Sequence, residues 1–396
     1  MKKIASICAS IAVLVAVPAA AEELRIGFLN TTTGSGALMG QHLERGWKLG
    51  LQHHGWMKNG DKLGGVPTRI FYADDQTKAD VGIQAAEKFI KRDKVHIVSG
   101  IVWSNVLLAV QRRILSSKRI LVSANAGPTP MAGKFCNPRF LAVGIVNDQL
   151  SEAMGVVMNR DGVKRVFALA PNYRAGKDIV TAFARKLSSG KIVGRSLFRL
   201  GQTDFQADLS KVRAAKPDAV FIFAPGSMGI AFVKQWVASG LNKKVKLYPM
   251  PVTVSTMTLP AIGDAAVGSV FADYWNTQSD HPRNKRFIKG YIARWGSHPS
   301  AIGMSAYDAV EVISKGLKGV NGKIDDLGAL ARAMRKGPFR SVRGDLKFNV
   351  NGFPITPFWR VQVERNAKGK PFFHGIEKIM EEPGSYADKC PPKMRL

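Results

Sequence analysis

The stretch L-R-I-G-F-L at residues 24–29, followed by T-G-S-G-A-L-M-G at 33–40, decides the fold. The first segment is mostly apolar and short, which is typical of a buried strand, and the glycine-rich turn leads into a helix predicted over 40–53. A strand that turns directly into a helix is the first unit of a β-α alternation. The stretch therefore predicts a parallel sheet flanked by helices.

The same alternation continues along the chain. The next predicted strands lie at 68–72, 95–99 and 120–122, and helices at 81–91 and 106–116 separate them. After a loop rich in Gly, Pro and Asn at 125–138, the alternation restarts and runs to a strand at 269–271. Helices and a β-rich ending of antiparallel character at 346–363 follow. The sequence therefore predicts an α/β protein with two doubly wound lobes, and the cleft between the carboxyl ends of their strands is the expected ligand site.

The first 21 residues have the pattern of a secretory signal peptide. Met1-Lys2-Lys3 is followed by an apolar block at 4–18 and by Ala19-Ala20-Ala21. The block is too short to span a membrane, and an A-x-A ending is typical of a cleavage site. We expect residues 1–21 to be removed and the remaining 375 residues (396 − 21) to work outside the cytoplasm, not embedded in a membrane.

The chain is strongly basic, with 58 Lys and Arg against 29 Asp and Glu and a formal net charge of +29. Such an excess attracts anionic partners over long distances. The basic residues are scattered, however, and no aromatic-interleaved cluster or nucleic-acid motif accompanies them. We therefore expect no nucleic-acid partner and a generally basic surface.

Cysteine usage predicts one disulfide. Of the three cysteines, Cys8 lies in the signal peptide, so the exported chain keeps Cys136 and Cys390. Two cysteines in an oxidising compartment favour a bridge, and this bridge would tether the C-terminal tail. Two separate buried thiols are the alternative.

No motif for catalysis, a cofactor or a metal stands out. Gly34-Ser35-Gly36 with Gly40 resembles part of a dinucleotide fingerprint, but the acidic residue expected about 20 positions later is missing. The seven histidines form neither an H-E-x-x-H motif nor a Cys-His spacing, and there is no G-x-S-x-G elbow. The sequence predicts a protein that is not an enzyme and has neither cofactor nor metal.

Several motifs together carry a family resemblance. Besides the signal peptide and the opening stretch, they are L-G-G (63–65), A-D-D (73–75), V-S-G-I-V-W-S (98–104), S-A-N-A-G (123–127), P-N-Y-R-A-G (171–176) and S-A-Y-D-A (305–309). In this order and spacing the chain resembles the periplasmic leucine/isoleucine/valine-type substrate-binding proteins of ABC transporters. The match covers nearly all of the exported chain.

The resemblance implies a type I periplasmic binding protein, in which two Rossmann-like lobes with parallel sheets are joined by a three-strand hinge. Lobe one would comprise residues 22–145 and 273–345, and lobe two 146–272 and 346–396. The lobes would close on a small solute, and an ABC transporter permease in the membrane would recognise the closed form. Ligand binding would then shift a hinge equilibrium.

The resemblance also implies the ligand-binding residues. The serine that holds a ligand carboxylate after the third strand falls on Ser104, with Trp103 beside it. The loop that grips the same group falls on Asn125, Ala126 and Gly127. The tyrosine of the second lobe falls on Tyr173, and Met39 falls where an aromatic or polar cleft residue is common. Met250 is a further candidate because it lies near the end of a predicted strand.

One departure from the family pattern bears on the ligand. Members that bind α-amino acids neutralise the ammonium group with an acidic side chain of the second lobe, and the matching segment 248–253 has no carboxylate. Asp148, Asp273 and Asp280 are the residues that could compensate. A buried ammonium without a counter-charge is costly, so we expect a small anionic ligand, a carboxylate with an apolar or aromatic body.

Other functions remain open from the sequence. The same fold could bind branched-chain or other amino acids, or act as a ligand-sensing module for a membrane partner. An exported amidase or esterase on this scaffold lacks a recognisable nucleophile, and a basic scaffold for an anionic polymer is a further alternative.

Overall fold

The computed structural model describes residues 22–382 and 386–395. The predicted signal peptide at 1–21 lies outside the described residues. Four sheets and the helices packed on them form two lobes, and the predicted fold class is confirmed.

The first lobe is built on a six-stranded sheet with the order β2-β3-β1-β4-β5-β6. All pairings are parallel except that of β2 with β3. The strands and their helices are β1 Leu24–Asn30, α1 Ala37–His53, β2 Lys62–Leu63, β3 Val66–Asp74, α2 Ala79–Lys91, β4 Ile97–Gly100, α3 Ser104–Ser116, β5 Ile120–Ser123, α4 Thr129–Ala132 and β6 Phe140–Ala142. Strands β4 and β5 are buried throughout because helices cover both faces of the sheet, and their Val- and Ile-rich sequences fit that environment.

The second lobe contains a four-stranded parallel sheet with the order β10-β9-β7-β8. Its elements are α5 Asn147–Arg160, β7 Arg165–Pro171, α6 Arg174–Lys186, β8 Lys191–Phe198, α7 Gln206–Ala215, β9 Ala219–Ile222, α8 Ser227–Ala238, β10 Lys246–Pro249 and α9 Leu259–Ile262. Helix α7 was not predicted, because its sequence QADLSKVRAA buries only Asp208, Leu209 and Val212 and lacks a clear apolar stripe.

The rest of the chain completes both lobes. Its elements are β11 Val270–Asp273, α10 Pro282–Trp295, α11 Ala301–Gly319, α12 Leu327–Arg335, β12 Phe339–Ser341, β13 Gly344–Leu346, β14 Thr356–Arg365 and β15 Pro371–Glu382. Helices α10 and α11 pack on α1 of the first lobe. Strands β11, β14 and β15 form an antiparallel sheet, and β11 adjoins β10 of the second lobe. The lobe boundaries at residues 145, 273 and 345 remain predictions.

Helices α1 and α11 approach each other at a pair of glycines. A Cβ atom built on Gly46 would lie 1.8 Å from the carbonyl oxygen of Gly303. No side chain fits in that space, so the close contact between a helix near the N-terminus and a helix about 260 residues later depends on glycine at position 46.

A buried ion pair ties the segments that run between the lobes. Arg343 faces Asp308 of α11 at 3.3 Å, and both side chains are almost fully buried. The guanidinium also donates to the carbonyl of Val143 at 2.7 Å, at the exit from β6. Asp308 accepts the backbone N–H of Val342 at 2.9 Å, so neither charge is left without hydrogen-bond partners.

The predicted disulfide between Cys136 and Cys390 is present, with Cα atoms 5.4 Å apart. It fastens the tail to the loop before β6, although the tail follows β15 of the other lobe. Tyr386, in the same tail, is hydrogen-bonded to Arg185 of α6 at 2.8 Å. The tail therefore contacts elements of both lobes. Among the described residues, no helix is both long enough and apolar enough to cross a bilayer.

Replacement of Gly46 with alanine will test the helix contact. We expect G46A to lower the free energy of unfolding by about 2 kcal/mol or more, since the added methyl group overlaps backbone. G290A in α10 is the control, because its Cβ would meet side-chain atoms alone among its nearest neighbours, those of His53 at 3.1 Å and Leu49 at 3.4 Å, and no backbone. Denaturant unfolding of both variants measures the effect, and equal stability of G46A and G290A would contradict the packing described.

Reduction will test the disulfide. A reductant should lower the melting temperature of the wild-type protein, corresponding to a loss of about 2–4 kcal/mol, because the unfolded chain gains freedom. The double variant with C136S and C390S should melt at the lower temperature with or without reductant. If wild-type protein shown by mass to be reduced melts unchanged, the tether does not stabilise the fold.

Candidate ligand-binding cleft

The cleft lies where the strand order of each parallel sheet reverses. Strand β1 pairs with β3 on one side and β4 on the other, and β7 pairs with β8 and β9 in the same way. At such a point the loops after neighbouring strands diverge and leave a crevice. The two crevices face each other, and the segments between the lobes form the floor.

A cavity of about 1110 Å³, including its open mouth, fills this cleft. Its walls are mainly aliphatic, aromatic and methionine side chains with a few polar groups. The polar side chains on its walls are Ser104, Asn125, Asn147, Tyr173, Ser255, Thr256, Asp273, Tyr274, Trp275, Asn276, Thr277 and Ser300. No Lys, Arg or His lies among the described lining residues, although the chain as a whole is strongly basic.

Two helices begin at the same place in the cavity. Ser104 is the first residue of α3 and Asn147 the first of α5, and the Asn147 amide donates to the Ser104 hydroxyl at 3.2 Å. The first N–H groups of a helix have no partner inside the helix and carry its positive dipole end. The backbone N–H of Asn147 donates to the carbonyl of Gly127 at 2.8 Å, so α5 contributes its dipole rather than this donor. The cleft can therefore attract an anion without a basic side chain.

Aromatic rings line the part of the cavity beside these helix starts. Tyr173 directly precedes α6, stacks on Phe223 with ring centroids 6.3 Å apart, and meets Trp103 edge to face at 5.7 Å. Met39 and Met250 complete this wall from opposite lobes. Flat rings and flexible thioethers give a surface suited to an apolar or aromatic body.

Six of the eight residues singled out from the sequence line the cavity: Met39, Ser104, Asn125, Ala126, Tyr173 and Met250. Trp103 is buried behind Tyr173, and its indole nitrogen lies against Gly36. Gly127 packs on the carbonyl of Ile145. Asn147, Phe373 and Gly375 were missed. The last two belong to β15, whose approach to the cleft is set by long-range strand pairing that has no local signal.

The three aspartates considered as counter-charges have different surroundings. Asp148 accepts a hydrogen bond from the Thr129 hydroxyl and forms an ion pair with Arg185. Asp280 is exposed and forms an ion pair with Lys285, whose Nζ lies 2.8 Å from the Asp280 carboxylate. Asp273 lines the cavity. Burial raises the pKa of the Asp273 carboxyl to about 7, against the opposing effect of hydrogen bonds from the N–H groups of Tyr274 and Trp275.

The lobes contact each other across the mouth of the cleft. The Ser227 hydroxyl donates to the carbonyl of Ser35 at 3.4 Å, and the Thr256 hydroxyl donates to that of Pro299 at 2.6 Å. The two lobes therefore touch each other at the rim of the cleft, beside its open mouth. Among the described residues, no group of three or more His, Cys, Asp or Glu is arranged to hold a metal ion.

The two α/β lobes hold a cavity between the places where the strand order of each parallel sheet reverses. This arrangement defines a solute-binding protein. The periplasmic binding protein family matches residues 23–370, and the chain belongs to that family. The family predicted from the sequence is thus confirmed.

Relatives and solved structures agree with this membership. The Leu/Ile/Val-binding protein homolog 6 of Brucella melitensis is 25% identical over 366 residues, covering 90% of this chain and 91% of the relative. An ABC transporter solute-binding protein from R. palustris, solved with benzoate, superimposes with a TM-score of 0.86 at 24% identity, covering 93% and 99% of the two chains. Another, from Rhodopseudomonas palustris BisB5 in complex with 3,4-dihydroxybenzoic acid, has a TM-score of 0.83 at 25% identity and covers 91% and 99%.

The raised pKa of Asp273 predicts how stability depends on pH. Between about pH 4 and 7 the folded protein holds a proton that the unfolded chain has released, so this group's contribution to stability is lost as the pH rises through about 7. D273N lacks this titration. Its melting temperature relative to wild type should therefore be a few degrees higher at pH 8 than at pH 5. D280N, at an exposed carboxylate, is the control, and a difference that does not change with pH would contradict the assignment.

Proposed function

We propose that this protein captures a small carboxylate with an apolar or aromatic body in the periplasm and delivers it, unchanged, to an ABC transporter permease. The observation that carries the proposal is the meeting of two helix starts at Ser104 and Asn147 in a largely apolar cavity. The helix ends favour the carboxylate, while the aromatic wall takes the body of the ligand.

The ligand class is also supported by the relatives. The 3,4-dihydroxybenzoic acid complex is of a protein that covers nearly the same length and is 25% identical. The segment 248–253, without a carboxylate, argues against the family's usual way of holding an α-ammonium group. We therefore favour aromatic carboxylates over branched-chain amino acids.

Binding of the carboxylate to Ser104 fits the geometry of the site. The Ser104 hydroxyl already accepts the Asn147 amide, so its own hydrogen is free to be donated to a ligand oxygen. Asn125, whose amide donates to the carbonyl of Val102 at 2.8 Å, holds the neighbouring loop in place. The basic surface would draw anions toward the cleft before binding.

Calorimetry with the exported protein, unfolded and refolded to remove any carried ligand, tests this function. Benzoate or a substituted benzoate should bind with a 1:1 stoichiometry. S104A should bind it at least tenfold more weakly, equivalent to about 1.4 kcal/mol, because one donor to the carboxylate is lost. S116A, an exposed serine at the end of the same helix, is the control.

Two results would oppose the proposal. Tight leucine binding without a response to carboxylates that lack an amine would point to the amino-acid alternative. Recovery of a chemically altered ligand would point to an enzyme. Cells that lack the protein should lose uptake of the same ligand, and retained uptake would favour a sensing role.

A further inference from the structure

Asp273 places an acidic side chain in the wall of the cleft, and the proposed function gives this side chain no role. It is the last residue of β11, on the floor of the cavity where the chain leaves the second lobe. Among the described residues that line the cavity, it has the only carboxylate, and no Lys, Arg or His accompanies it. A site proposed to bind an anion thus contains an acid.

The protein leaves this carboxylate without an ion-pair partner. One oxygen accepts the backbone N–H of Tyr274 at 2.7 Å, and no cationic side chain among the described residues lies within ion-pair distance. Arg343 acts on it only through its charge, because that guanidinium is held by Asp308 and by the carbonyl of Val143.

A carboxylate ligand in the same enclosed space would repel an ionised Asp273, and burial has already made ionisation of this group unfavourable. A ligand that presents a hydrogen-bond donor to Asp273 stabilises the ionised carboxylate and so offsets both costs. A ligand of the same shape without that donor leaves a buried acceptor unpaired. Sites of this kind discriminate strongly between the two.

Resting on the proposed function, we infer that the ligand carries a hydroxyl group in addition to its carboxylate, and that Asp273 accepts the hydroxyl hydrogen and selects for it. The helix starts at Ser104 and Asn147 hold one end of the ligand, and Asp273 recognises another point on its body. The preferred class is then hydroxylated aromatic carboxylates rather than unsubstituted ones.

Matched pairs of ligands test this inference without any variant. Dissociation constants are measured by calorimetry at pH 8, where the Asp273 carboxyl is mostly ionised and can only accept. The probes are benzoate, the three hydroxybenzoates and the corresponding methoxybenzoates. At least one hydroxybenzoate should bind ten times or more tightly than both benzoate and its own methyl ether, which keeps the oxygen but has no hydrogen to donate.

Substitution of Asp273 assigns the preference to this residue. In D273A the advantage of the hydroxyl compound should fall below threefold, while benzoate should bind as well as before or better, because the repulsion is gone. D280N, which removes an exposed carboxylate seven residues later, should keep the wild-type preference.

The outcomes separate the inference from the function on which it rests. Binding of benzoates with no hydroxyl preference, or a preference that survives in D273A, overturns the inference and leaves the proposed function standing. Failure of every carboxylate to bind overturns the proposed function itself. An Asp273-dependent gain confined to leucine or 4-(aminomethyl)benzoate overturns the hydroxyl assignment, since the donor is then an ammonium group.

Discussion

Parallel strands all point their carboxyl ends to one edge of the sheet, and the rest of this structure depends on that constraint. In each parallel sheet the crevice where the strand order reverses opens at that edge, and the segments between the lobes hold the two edges face to face. The lining of the cleft therefore comes from widely separated parts of the chain, around residues 39, 104, 173 and 250, and residue 273 joins it from the end of β11 in the antiparallel sheet. Helices α3, α5 and α6 begin at this edge for the same reason.

Charge is distributed in two different ways in this protein. The chain has a net charge of +29, yet the described lining of the cleft has no basic side chain. Helix ends can hold an anion through fixed N–H groups, whereas lysine or arginine would have to be desolvated and ordered as the cleft closes. Under the proposed function, surface charge would affect how fast an anion arrives, and the cleft would decide which anion stays.

The segments between the lobes are held by polar contacts as well as by packing. Arg343 links Asp308 to the carbonyl of Val143 and lies over the ring of Tyr274 at 5.3 Å. Tyr274 in turn is hydrogen-bonded to Ser305 at 3.1 Å, and Asp273 directly precedes it. The floor of the cavity beside Asp273 is thus held by hydrogen bonds and by a cation–π contact, which limits how far that residue can move.

The sequence by itself determined the fold class and most helices and strands, because strand and helix periodicities and turn residues are local signals. The order and spacing of several motifs predicted the family. The presence of two cysteines outside the predicted signal peptide favoured the pairing of Cys136 with Cys390, which the structure contains. The family resemblance and the ends of predicted strands also pointed to six residues that line the cavity. Only the tertiary structure decided which of the three aspartates lines the cleft. It also decided that the side chains of Asn147 and Ser104 meet there and that β15 contributes Phe373 and Gly375 to the lining. Those facts depend on contacts between residues far apart in the chain. Asp148, Asp273 and Asp280 have different surroundings in the folded protein, and their positions in the sequence do not reveal those surroundings.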